Sequence, residues 1–362
     1  MLKRAFIFLL LTCAIPCVYA QRDSIHEWQV RANMQYGVLL PEYGFIGNIS
    51  NDYLRGFEVN VCKSTTGESQ WQQLYRYPSF GISFFYSTLG NKQYFGEEYT
   101  LYPYYALNIL RGRNWSLNYQ MGLGVSYATK KYDQNTNFQN LAIGSHFNIH
   151  YHADVIAQWK ISKKLYVNGG ISFSHISNAN LSEPNVGLNA STAFIGIALG
   201  FGQRKGYLKQ EIPIFTPFFT YEVLVNGGMK HTRTFESFQY PAFSISFDAK
   251  RRTRYKFAFG AGIDFFYDAS IEPQMIRLNK PYVSSNSFTS GIHFAQEFVY
   301  DKVSLILQEG IYIGLTDKLN GYFMYNRAIA RYKFSKHFFA NFSLKSHLYI
   351  LDFPEIGIGY YW

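Results

Sequence analysis

From Trp28 onward the chain places apolar residues at every second position in one strand-length segment after another. Nowhere in that span does it offer the run of about 18 apolar residues that a membrane-crossing helix needs. Successive side chains on a strand point to opposite faces, so each segment acquires one apolar and one polar side. The segments read as strands at 27–39, 54–63, 79–89, 97–110, 114–129, 140–160, 163–178 and 190–202. A second set follows at 216–229, 239–250, 254–269, 286–300, 302–316, 323–335, 337–350 and 355–362. Short turns such as 111–114 and 162–164 alternate with longer polar loops such as 129–139 and 178–190. That asymmetry belongs to bacterial outer-membrane barrels. The expected fold is all-β, a transmembrane antiparallel barrel.

Composition agrees. Aromatics make up 19% of the chain, with 31 Tyr and 33 Phe, more than secreted β-sandwiches carry. Residues 1–20 read as a secretory signal: Lys3 and Arg4, then apolar Ala5 to Ile15, then a small-residue cut after Ala20. Cys13 and Cys17 fall inside it, which leaves Cys62 with no intrachain disulfide partner. Net charge is +10, of which Lys3 and Arg4 supply two. For an exported chain that charge points to anionic lipid rather than nucleic acid. At the end, Ile356, Ile358, Tyr360 and Trp362 share one face, which looks like the signal read by the barrel assembly machinery.

The chain also repeats itself. Gly81–Tyr86 (GISFFY) recurs as Gly262–Tyr267 (GIDFFY), 156–163 (IAQWKISK) as 329–336 (IARYKFSK), and 195–201 (IGIALGF) as 356–362 (IGIGYYW). The order is the same in both copies, so a tandem duplication of an eight-stranded unit is expected, with units at 21–205 and 206–362. The spacing falls from 173 to 161 between the last two matches, so the second copy has lost twelve residues where the first carries a polar loop. One barrel of about 16 strands and two eight-stranded barrels both satisfy the repeat.

That polar loop joins 163–178 to 190–202. In the first of these strands Leu165, Val167, Ile171 and Phe173 form the apolar, lipid-facing side, while Asn168, Ser172 and Ser174 line the interior. His175 and Ser177 continue the lipid-facing side, and Asn189 shares that parity on the next strand. Polar groups facing lipid are costly unless they serve something there. A His two residues from a Ser on one face brings an imidazole within reach of a hydroxyl, the arrangement that activates a nucleophile. Asn side chains can donate to an oxyanion.

The wider string, His175-Ile-Ser177-Asn178 followed by Pro184-Asn185-Val-Gly187, resembles the PagL family of lipid A 3-O-deacylases. The segment Ala142-Ile-Gly-Ser-His146-Phe-Asn148 looks like that family's strand before the active hairpin. The resemblance covers residues 27–202. It implies Ser177 as nucleophile and His175 as general base, with Asn178 and Asn185 holding the loop or forming an oxyanion hole. It implies hydrolysis of the 3-O-linked hydroxyacyl ester of lipid A without metal or other cofactor. The family's third member is a Glu two residues after the glycine. Here that position is Asn189, with Glu183 the nearby carboxylate. In the second copy, Leu348 and Ile350 stand at the His and Ser positions, so that unit reads as structural.

The competing reading is a non-catalytic barrel, a porin or structural protein, with a degenerate site. Expected partners are lipopolysaccharide and outer-membrane lipids; homodimerisation stays open. His146, His150 and His152 read as one interior face, Glu97–Glu98 as solvated turn charge, and Lys250–Arg254 as a basic turn.

Overall fold

The strands close twice. The computed structural model describes residues 24–179, 181–232, 238–313, 321–348 and 350–362, so the secretory signal and its two cysteines lie outside the described residues. The first barrel consists of β1 (Ile25–Leu39), β2 (Leu54–Ser64), β3 (Ser79–Thr88), β4 (Glu97–Arg111), β5 (Trp115–Ala128), β6 (Phe147–Lys160), β7 (Leu165–Ser177) and β8 (Leu188–Lys205). The second consists of β9 (Phe218–Lys230), β10 (Tyr240–Arg254), β11 (Phe257–Asp268), β12 (Phe288–Tyr300), β13 (Val303–Ile313), β14 (Met324–Lys333), β15 (Phe338–His347) and β16 (Ile350–Tyr361). The single barrel of about 16 strands is thereby ruled out, because β1 pairs with β8 and β9 with β16.

The two closures match in detail. Trp28 stacks on Phe201 at the first seam and Tyr221 on Trp362 at the second, with ring centroids 6.5 and 6.2 Å apart. The repeated strings sit on equivalent strands, β3 with β11, β6 with β14, and β8 with β16. Short helices interrupt the connections: α1 (Gly44–Ile49) between β1 and β2, α2 (Gln70–Leu74) between β2 and β3, and α3 (Ile271–Arg277) between β11 and β12.

Each barrel is polar inside and apolar outside. On β1, Gln29, Arg31, Asn33 and Gln35 are buried, while Met34 and Tyr36 are exposed on the outer wall. Eight strands enclose a space that side chains fill. In the first barrel Glu58 accepts from Ser83 at 2.8 Å, and Glu98, His150, His152 and Asp154 form a chain with steps of 3.2, 3.1 and 3.0 Å. In the second, Lys250 and Arg331 meet Glu222 at 2.8 Å each, and His293 meets Asp264 at 2.7 Å. Among the described residues, these side chains occupy the space where a porin would carry its channel.

The polar-inside wall also corrects three expectations. Glu98 is not solvated turn charge but a buried acceptor in the His chain. Lys250–Arg254 is not a turn but the end of β10, with Lys250 inside the barrel; the turn is 255–256. His146 does not share the interior face of His150 and His152, because β6 begins only at Phe147. Glu58, His152 and Asp154 do approach one another within 4.8 Å, but each is already engaged by neighbouring side chains.

The buried pairs predict where stability resides. Arg327 donates to Asp264 at 3.0 Å and to Glu355 at 3.3 Å in the second lumen. Replacing it by Leu takes the guanidinium away from two buried carboxylates, and removing one partner of such a pair costs about 3–5 kcal/mol. Urea unfolding in detergent micelles should show that loss for Arg327→Leu. An Ile292→Leu change on the outer wall should leave the midpoint in place.

Candidate active site

β7 and β8 pair so that His175 lies directly opposite Asn189. Both point outward, since Ser174, Ile176 and Ala190 occupy the buried faces beside them. His175 Nδ1 lies 2.7 Å from Asn189 Oδ1, and His175 Nε2 lies 3.0 Å from Ser177 Oγ. An amide oxygen only accepts, so Nδ1 carries the proton and Nε2 is left as acceptor for the Ser177 hydroxyl. The structure thus brings His175, Ser177 and Asn189 into one hydrogen-bonded row on the lipid-facing wall.

A fourth residue extends the row. Leu40 N donates to Asn189 O at 2.8 Å, continuing the β1–β8 ladder past Leu39 and carrying Glu42 to the far side of Asn189. Asn189 Nδ2 then donates to Glu42 Oε2 at 3.4 Å. The carboxylate faces the amide nitrogen and so turns the amide oxygen toward the imidazole. Glu183, the carboxylate singled out from the sequence, is not the one in this row. Glu42 was missed because it is 147 residues from Asn189 and becomes a neighbour only when the barrel closes.

The loop 178–187 is tied to itself and to a platform beneath it. Asn178 N donates to Asn185 Oδ1 at 2.9 Å, and Asn178 Nδ2 donates to Ser182 O at 2.7 Å. Ser182 Oγ donates to Gly144 O at 3.1 Å, and Gly187 N to Ala142 O at 3.0 Å. Residues 140–146 therefore form no strand, contrary to the sequence reading. Their apolar members Ala142 and Ile143 are drawn into a buried cluster with Leu39, Ile46, Phe95 and Leu188 that fills the barrel mouth.

Gly187 marks the tightest point. Its φ is +74°, and a Cβ there would lie 2.7 Å from His175 Cε1. Gly187→Ala therefore combines a strained backbone with displacement of the imidazole. The expected result is at least a 10²-fold loss of kcat, read in an ester-release assay, with the folded barrel's gel mobility retained.

Below the row the outer wall is hollowed. Met34, Tyr36, Phe57, Tyr86, Ala193 and Ile195 border an open groove of about 630 Å³ across β8, β1, β2 and β3. Ala193 lies four residues from Asn189 on the same face, roughly 13 Å along the strand. In the second barrel no counterpart exists among the described residues. His347 faces the lumen 3.3 Å from Asp352, and exposed Leu348 and Ile350 flank a shortened connection.

Residues 55–198 match the family model described as lipid A 3-O-deacylase (PagL), and 219–362 match that of the acyloxyacyl hydrolase C-terminal domain. The chain belongs to the PagL family. Membership brings hydrolase activity toward lipid A and an outer-membrane location, and both halves of this PagL-family chain are covered by the two models. No curated protein matches the chain. Among solved structures, the outer-membrane enzyme PagL is 17% identical with a TM-score of 0.31, covering 46% of this chain and 97% of its own. Neisserial surface protein A is 10% identical with a TM-score of 0.32, covering 48% and 97%. CdiB from Acinetobacter baumannii is 9% identical with a TM-score of 0.21, covering 93% and 60%.

Proposed function

We propose that this protein removes the 3-O-linked hydroxyacyl chain of lipid A by serine catalysis on the outer wall of its first barrel. The carrying observation is the row Ser177–His175–Asn189, with spacings of 3.0 and 2.7 Å, on the lipid-facing side. Ser177 Oγ attacks the ester carbonyl while its proton passes to His175 Nε2. His175 then returns that proton to the departing sugar hydroxyl, leaving an acyl-serine that water hydrolyses with the same residue as base. Asn189 orients the ring and Glu42 orients Asn189. Asn185 Nδ2, whose amide is fixed through its oxygen, is the proposed oxyanion donor, and Asn178 holds the loop.

The groove below the row fits the acyl chain. A hydroxyacyl ester at the headgroup level reaches Ser177 while its hydrocarbon lies along Met34 and Ile195, with no need to leave the bilayer. The test is mass spectrometry of lipid A from cells expressing the protein. A species lighter by one 3-hydroxyacyl group supports the reading, and unchanged lipid A removes it. Purified protein offered glycerophospholipids separates a general esterase from a lipid A enzyme.

A further inference from the structure

Where the two barrels touch, at the end that carries the short turns and the connecting segment 206–217, they enclose a polar cleft of about 350 Å³. From the first barrel it takes α2 and its flanks, including Gln70, Trp71 and Tyr75; from the second it takes Arg252, Tyr255 and Asp301. The walls are joined directly. Gln70 Nε2 donates to Tyr255 OH at 3.2 Å, and Tyr75 OH donates to Val299 O. The Tyr75 and Tyr300 rings lie 4.7 Å apart, and Tyr105 packs edge-on against Tyr300 at 5.6 Å.

Arg252 and Asp301 line this cleft, and Lys256 stands beside it over Tyr75, so cations outnumber carboxylates there. Arg252 Nη2 donates to Tyr255 O at 2.6 Å, but its Nε is buried without a partner. Lys256 Nζ sits 4.8 Å above the Tyr75 ring. Among the described residues neither cation has a carboxylate within ion-pair distance, although Asp301 borders the same cleft. Burial, and then the charge of Arg76, push the Lys256 ammonium below its ordinary range. Two cations beside one partly dry cleft, against a single carboxylate, form a receptor for an anion.

Position selects the kind of anion. The strand ends mark the headgroup level of the periplasmic leaflet, and the Trp and Tyr side chains at the cleft are those that favour that level. We propose that the cleft binds the phosphate headgroup of an anionic glycerophospholipid from the periplasmic leaflet, bridging Arg252 and Lys256 and cementing the two barrels. This lipid is distinct from lipid A, which would be met at the opposite end of the barrels.

The test is native mass spectrometry of the full-length protein released from micelles containing phosphatidylglycerol, phosphatidylethanolamine or phosphatidylcholine. The expected result is one retained phosphatidylglycerol, favoured at least roughly tenfold over the zwitterionic lipids. Arg252→Gln combined with Lys256→Gln should abolish that preference, and Lys92→Gln at the opposite end should leave it intact. Gel mobility of unheated samples confirms that each variant is folded. Equal retention of the three lipids, or an unchanged preference in the double variant, overturns the proposal. So does displacement of the lipid by millimolar inorganic phosphate, which would mark a soluble-anion site.

Discussion

Ser177→Ala should leave lipid A fully acylated, with a fall in kcat of about 10⁴-fold or more and little change in KM. The expectation rests on how such a row works. Nucleophile and base act as a unit in serine hydrolases, so losing either one removes nearly the whole effect. His175→Ala should therefore match Ser177→Ala, and the double variant should be no worse than either. Binding of lipid A should persist, because the groove bounded by Met34, Tyr36 and Ile195 is untouched. The measurement is single-turnover release of 3-hydroxy fatty acid from purified lipid A in mixed micelles. Residual wild-type release from Ser177→Ala would place the nucleophile elsewhere and dismantle the serine mechanism. Multiplying losses in the double variant would show that the two residues act separately.

The second large effect concerns Asn189. In the Ser-His-Asp triad, exchanging Asp for Asn costs about 10⁴ in kcat because the imidazole is held in the wrong tautomer. An Asn in that place is tolerable only if its oxygen, rather than its nitrogen, faces the ring. Here Glu42 meets the nitrogen at 3.4 Å and leaves the oxygen 2.7 Å from Nδ1. Asn189→Leu keeps the bulk but removes the acceptor, and should lower kcat by about 10²–10⁴ with KM nearly constant. Asn189→Glu supplies an acceptor from either oxygen and should retain or exceed the native rate. Glu42→Gln lets the Asn189 amide turn either way and should cost roughly tenfold, as loss of an orienting outer partner does elsewhere. Asn189→Glu should then make the protein indifferent to Glu42→Gln. Full activity in Asn189→Leu would show that the imidazole needs no third member.

Much of this was legible in the sequence because a membrane barrel imposes period two without relief. Strand positions, the outward parity of His175, Ser177 and Asn189, and the missing loop of the second copy all follow from counting residues. Three features were not legible, each for a physical reason. Residues 140–146 alternate like a strand, yet their apolar side chains serve a plug at the barrel mouth, where the alternation has a different destination. Glu98 and Lys250 look like turn charges because charge ordinarily marks solvent, whereas in a small barrel it marks the interior. Glu42 and the choice between one closure and two depend on which distant strands pair, and a one-dimensional pattern carries no record of that.

The connection 206–217 has a consequence for stoichiometry. It joins Lys205 to Phe218, so the two barrels form one polypeptide, with the outward Ser177–His175 pair on the first of them. A short tether holds its modules at effective concentrations in the millimolar range. Two-dimensional dilution in the bilayer, which would separate untethered subunits, leaves this pair together, and every molecule carries one wall with the polar row and one companion wall without it among the described residues. The tandem arrangement makes a covalent certainty of what two separate barrels would need a lateral encounter to achieve.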